Sequence, residues 1–138
     1  MTEEKKQSLQ ATSRILCEAY NLLLAKGEVL FPIEDSHADK LDIIVKTIEG
    51  QYFEVSRFDT PEKRAAGYFC LIIKDHPMTD GNKRLAVLWL EIFSDILDLK
   101  IAMPPDLTLD TLAVTVVSTS DMDMDQLYET VRVILFGK

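Results

Sequence analysis

Apolar residues recur at a helical interval along most of the chain, and the places where that rhythm fails divide it into elements. Between Thr2 and Lys26, the residues Leu9, Ile15, Leu16, Ala19, Leu22 and Leu23 follow a spacing of roughly 3.6, and Gly27 stands where a helix would stop. This predicts a first helix. Past Pro32, Ser36 is followed three residues later by Asp39, an acidic variant of the capping box, and Leu41, Ile44, Val45 and Ile48 then share one face of a second helix. The stretch from Glu49 to Asp59, EGQYFEVSRFD, breaks the period. Its glycine and its aromatic and β-branched residues predict an extended segment or short β-hairpin, a flap at about 49–56.

Thr60-Pro61-Glu62 supplies an N-cap, a proline at the first helical position and an early acid; Ala65, Ala66, Phe69, Cys70, Ile72 and Ile73 continue as a buried helix. That helix should end at Asp75 or His76, because Pro77 disfavours helical geometry in the residue before it. From Asn82 to about residue 98, Leu85, Leu88, Trp89, Ile92, Phe93 and Ile96 form a wide apolar stripe, the mark of a central helix. Pro104-Pro105 interrupts the chain, and two more helices are expected at about 108–118, capped by Thr108, and 123–136, capped by Ser120, Asp121 or Asp123. The pattern predicts one domain over 1–138, a mainly α, compact helical bundle with a short β-hairpin flap.

Composition supports a packed core, with 47% apolar and 28% charged residues. No apolar run approaches the ~20 residues that span a bilayer, and the start MTEEKKQSLQ has no apolar leader, so a cytoplasmic protein without a membrane partner is expected. Fifteen basic against 23 acidic residues leave a net charge of −8, which repels phosphate backbones and argues against nucleic acid as a partner. Any phosphate must then be held by a local site. Cys17 and Cys70 form no CxxC and read as small buried hydrophobes.

The segment His76-Pro77-Met78-Thr79-Asp80-Gly81-Asn82-Lys83-Arg84 carries the candidate chemistry. A glycine-containing loop that enters a helix presents unpaired N–H groups and the positive end of the helix dipole, which together attract an anion. Lys83 and Arg84 occupy the first turn of that helix, where cations oppose the dipole, and an anionic partner would account for them. Taken singly, each residue fits an ordinary helix–turn–helix connection. An imidazole, a carboxylate, an amide and two cations within nine residues form a constellation.

This segment resembles the signature of the Fic/Doc family, His-x-Phe-x-Asp/Glu-Gly/Ala-Asn-Gly/Lys-Arg, departing from it only at Met78. The order of flap, helix, loop and long helix is also similar over about residues 40 to 100. The resemblance implies a Fic-type bundle that transfers part of a nucleoside triphosphate, ATP by preference, onto a protein hydroxyl. It implies His76 as general base, Asp80 as the Mg²⁺ residue, and Gly81, Asn82, Lys83 and Arg84 as the phosphate-binding set. An imidazole titrates near neutral pH, Mg²⁺ prefers oxygen ligands, and an arginine fork suits phosphate. The flap, with Gly50, Gln51, Tyr52 and Phe53, would dock an extended segment of the protein substrate.

Three positions refine the expectation. Met78 replaces a phenylalanine that packs the loop, and a thioether can fill the same space. Lys83 stands where adenylylating members commonly have glycine, and Val87 where they often have a second arginine. Both features are closer to the Doc branch and favour transfer of the terminal phosphate, with adenylyl transfer or a catalytically lost binding module as the alternatives. The inhibitory pattern Ser/Thr-x-x-x-Glu-Gly/Asn does not occur, so any restraint would come from a separate antitoxin protein. A metal hydrolase is disfavoured because His37 is the only other histidine.

Overall fold

The computed structural model describes residues 2–50 and 57–137. Among these residues the chain forms six helices. Helix α1 (Glu3–Ala25) starts where the Thr2 hydroxyl accepts the Lys5 N–H (3.1 Å), with Glu3 and Glu4 at the positive end of the dipole. It ends in a Schellman turn. Gly27, at φ 75, donates to the Leu24 carbonyl (3.0 Å) and Glu28 to the Leu23 carbonyl (2.9 Å). The left-handed φ suits glycine, and the reversal carries Glu28, Val29 and Leu30 back toward the motif loop.

Helix α2 (Asp35–Glu49) departs from the sequence reading at its start, where Glu34 rather than Ser36 is the N-cap and Ser36 already lies within the helix. The bond that returns to the cap comes from His37, whose ring Nδ1 accepts the Glu34 N–H at 3.0 Å. A buried imidazole thus takes the place usually held by Glu or Gln in a capping box. Helix α3 (Pro61–Asp75) begins as Thr60-Pro61 predicts, the Thr60 hydroxyl accepting the Lys63 N–H at 3.1 Å.

Every residue of α3 from Ala65 to Ile73 is buried, and the helix packs against α2, α4 (Asn82–Ile96), α5 (Leu109–Ser118) and α6 (Met124–Phe136). The central element is therefore α3 rather than α4. A helix surrounded by neighbours has no polar face, and its unbroken apolar run gives less periodic signal than the stripe of α4. The two meet through Tyr68, Trp89 and Phe93, whose ring centroids lie 5.0–5.8 Å apart in edge-on and tilted arrangements. Helix α5 is capped by Thr108 as expected, and α6 by Asp123 with Gln126 reciprocating.

The expected fold class, a helical bundle with a β-hairpin flap, is corrected by the structure: among the described residues every element is a helix and none is a strand. Glu49, assigned to the flap, is the last residue of α2, held there by the Tyr68 hydroxyl (2.8 Å) and Arg64 Nε (3.4 Å) of α3. Gly50 is buried as the C-cap, its N–H donating to the Lys46 carbonyl at 2.9 Å. Long-range bonds thus extend a helix past the point where local propensity suggested a change. Gln51, Tyr52 and Phe53 lie outside the described residues.

Cys70 is fully buried on α3 and Cys17 half-buried on α1, and both are free thiols. Burial, partly opposed by the charge of Lys74, pushes the Cys70 thiol up to about 12. Burial likewise raises Tyr20 and Tyr68 and pushes Tyr128 up to about 12. The fold keeps these protons where the unfolded chain releases them, so their stabilisation is complete below roughly pH 9 and is lost as pH rises through the folded values. Thermal melts should show a falling midpoint from about pH 9 upward, and Cys70 should resist thiol reagents at pH 8 until denaturant is added. A constant midpoint between pH 8 and 11 would contradict this account.

Candidate functional site

Helix α3 stops at His76, whose backbone lies in the left-handed region (φ 48, ψ 58) that residues other than glycine seldom adopt. Pro77 follows, and Met78 is buried at 4% exposure, filling the position where the signature has phenylalanine. Asn82, the first residue of α4, reaches back to hold the loop. Its Oδ1 accepts the Met78 N–H (2.9 Å), and its Nδ2 donates to the Met78 carbonyl (2.9 Å) and toward His76 Nδ1 (3.2 Å). At 6% exposure these bonds are shielded from water, which strengthens them. The Met78 N–H fixes which end of the amide is oxygen, so Nδ1 of His76 is an acceptor and the neutral ring carries its proton on Nε2 while this contact lasts.

Gly81 is the N-cap of α4 at φ 77, and a Cβ built there would lie 2.2 Å from Val29 Cγ1. Glycine is required twice, by the backbone and by the α1–α2 turn packed against it. Side chains accept backbone N–H groups at the N-caps of α1, α3, α5 and α6, whereas no side chain caps α4. Its first turn holds no acid and exposes Lys83 and Arg84. Arg84 Nη1 donates to the Glu28 carbonyl, which ties the start of α4 to the end of α1 and uses one of five guanidinium N–H donors.

His76, Asp80, Gly81, Asn82, Lys83 and Arg84, all named from sequence, line a single cleft of about 630 Å³. Its remaining walls are Gly27, Glu28 and Leu30 of the α1–α2 turn, Ile73 of α3, Thr79 of the loop and Val117 of α5. Sequence reasoning missed these. Gly27 and Pro32 flagged a turn, but nothing local shows that it folds back onto residues more than fifty positions away. Asp80 is partly exposed at the cleft and lies near enough to Tyr20 for its charge to add to burial in raising that phenol. The Tyr20 hydroxyl donates to the Phe31 carbonyl at 2.6 Å.

Among the described residues no three His, Cys, Asp or Glu side chains gather as a metal cage. Mg²⁺ does not need one, since it is commonly held by one or two carboxylates together with substrate phosphates and water. Asp80, a hard oxygen donor beside an anion-attracting helix start, fits that demand. No helix among the described residues is long and apolar enough to cross a membrane.

The model of the Fic/DOC family matches residues 8–94, well over half the chain. The chain belongs to the Fic/DOC family. The match runs from α1 through nearly all of α4, so the family domain includes the motif loop and the α1–α2 turn that closes on it. Helices α5 and α6, with Val117, lie beyond it. No curated protein and no solved structure matches the chain. Membership supports nucleotidyl or phosphoryl transfer in general, with enzymatic potential.

Proposed function

We propose that this Fic/DOC member transfers the terminal phosphate of a nucleoside triphosphate, ATP by preference, to a hydroxyl of a protein substrate. The observation that carries the reading is that one cleft gathers an imidazole, a carboxylate and an uncapped, cationic helix start. The uncapped N–H groups of α4, with Lys83 and Arg84, hold phosphate oxygens. Asp80 would hold Mg²⁺ beside them, and the ion, when bound, neutralises phosphate charge. Asn82 supports the reading through the loop it braces.

His76 is the base in this reading. The target oxygen bonds to phosphorus, its proton passes to the imidazole, and the bond to the bridging oxygen breaks to release the nucleoside diphosphate. Proton uptake at Nδ1 displaces the contact from Asn82; uptake at Nε2 needs the other tautomer, which also gives it up. Transfer and release of that 3.2 Å contact are therefore linked.

The choice of terminal phosphate rests on Lys83, which adds a point charge where adenylylating members have glycine, and on Val87, which packs against the core where they have arginine. Cations that clamp the inner phosphates leave the outer phosphorus facing the hydroxyl. A separate antitoxin is the proposed restraint, in keeping with the lack of an inhibitory motif. The test incubates the chain and host lysate with ATP labelled at the terminal or the inner phosphate. Terminal label on protein is expected. Inner label alone would establish adenylyl transfer instead, and no transfer by folded protein would favour a binding module.

A further inference from the structure

We infer that the Thr79 hydroxyl is an additional phosphate-binding donor, aimed into the cleft by His37, a positioning residue on α2. The inference rests on the nucleotide-binding reading of the cleft. Thr79 occupies a free position of the signature, where the family pattern assigns no role, and nothing in the sequence singled it out. It is exposed at the cleft wall between buried Met78 and Asp80.

His37 is 9% exposed, and both its ring nitrogens are engaged. Nδ1 lies 3.0 Å from the Glu34 backbone nitrogen, whose N–H can only donate. The neutral ring therefore carries its proton on Nε2, which lies 2.9 Å from Thr79 Oγ1. That N–H must donate, and the hydroxyl oxygen accepts. With an acceptor site on Thr79 filled, its own hydrogen is directed elsewhere, and the neighbouring space is the cleft. A donor held this way loses little freedom when it meets a phosphate oxygen.

Packing alone would explain a buried histidine that caps a helix, but a cap needs only Nδ1. The second bond spans 42 residues to a loop that carries the motif. It links the start of α2 to the point where the chain turns toward the phosphate site. A chain of oriented donors, Glu34 N–H to His37 and His37 Nε2–H to Thr79, ends in the hydroxyl of a residue that lines the cleft.

The test measures calorimetric binding of Mg²⁺-ATP and of inorganic tripolyphosphate to the full chain, with thermal melts as a folding control. Thr79→Val removes the donor while keeping shape and should weaken both ligands about tenfold, the scale of one hydrogen bond to a charged group. Thr79→Ser should restore binding. His37→Gln keeps a capping-box acceptor for Glu34 and removes the imidazole donor, so it should leave the melting midpoint near that of the parent while weakening both ligands severalfold. In the Thr79→Val background, His37→Gln should cost nothing further. Additive losses, or Thr79→Val binding like the parent, would overturn the inference while leaving the nucleotide reading intact. A folded parent that binds neither ligand would overturn both.

Discussion

His76→Asn should lower transfer by about 10²–10⁴-fold, the usual share of a positioned general base, while Mg²⁺-ATP affinity changes by less than about threefold. Asparagine is the informative replacement because it tolerates the left-handed backbone that His76 adopts at φ 48, which alanine would strain. Asp80→Ala should behave in the opposite way, weakening Mg²⁺-dependent nucleotide binding before any chemistry takes place. Calorimetry and turnover on the same preparations separate the two. Equal loss of binding in both variants would contradict the roles assigned to them, since proton removal belongs to the transition state and metal binding to the ground state.

The parts of this architecture that could be read from sequence are those whose determinants lie within a few residues of one another. Thr60-Pro61, Thr108 and Asp123 are local signals, and each caps a helix where the pattern placed one. The motif was legible for the same reason: the six residues named from it fall on a loop and one helical turn, so their meeting in one cleft follows from short-range geometry.

The misreadings have a common physical cause. Glu49 opens the stretch that breaks the helical period and is assigned from sequence to the flap, yet Tyr68 and Arg64 reach from α3 to hold it as the last residue of α2. Ser36 and Asp39 form a plausible local capping box, but Glu34 and His37 displace it because His37 is also recruited by Thr79. Tertiary partners outweigh propensity here, and those partners are distant in sequence. His37 itself stands three residues after Glu34, the spacing of a capping box, and that was the only signal by which its structural part could have been found.

The distant turn also sets the strongest stability prediction. Gly81→Ala should destabilise the protein by roughly 2–5 kcal/mol, from about 1–2 kcal/mol for a Cβ at a left-handed backbone and about 1–3 kcal/mol for overpacking. The overpacking partner is identified, because the new Cβ would sit 2.2 Å from Val29 Cγ1, and Val29 is 2% exposed with little room to withdraw. Nucleotide affinity should fall with stability, since relief of the clash moves either the start of α4 or the turn whose Glu28 carbonyl receives Arg84. Val29→Ala alone costs the burial of two methyl groups, about 1–3 kcal/mol. In combination it removes the atom that clashes, so Gly81→Ala should cost about 1–3 kcal/mol less in the Val29→Ala background than in the parent, leaving only the backbone strain. Chemical denaturation of the four proteins of this cycle measures the coupling directly. Strict additivity would mean that Val29 does not shape the loop, and that the glycine is demanded by its left-handed φ alone.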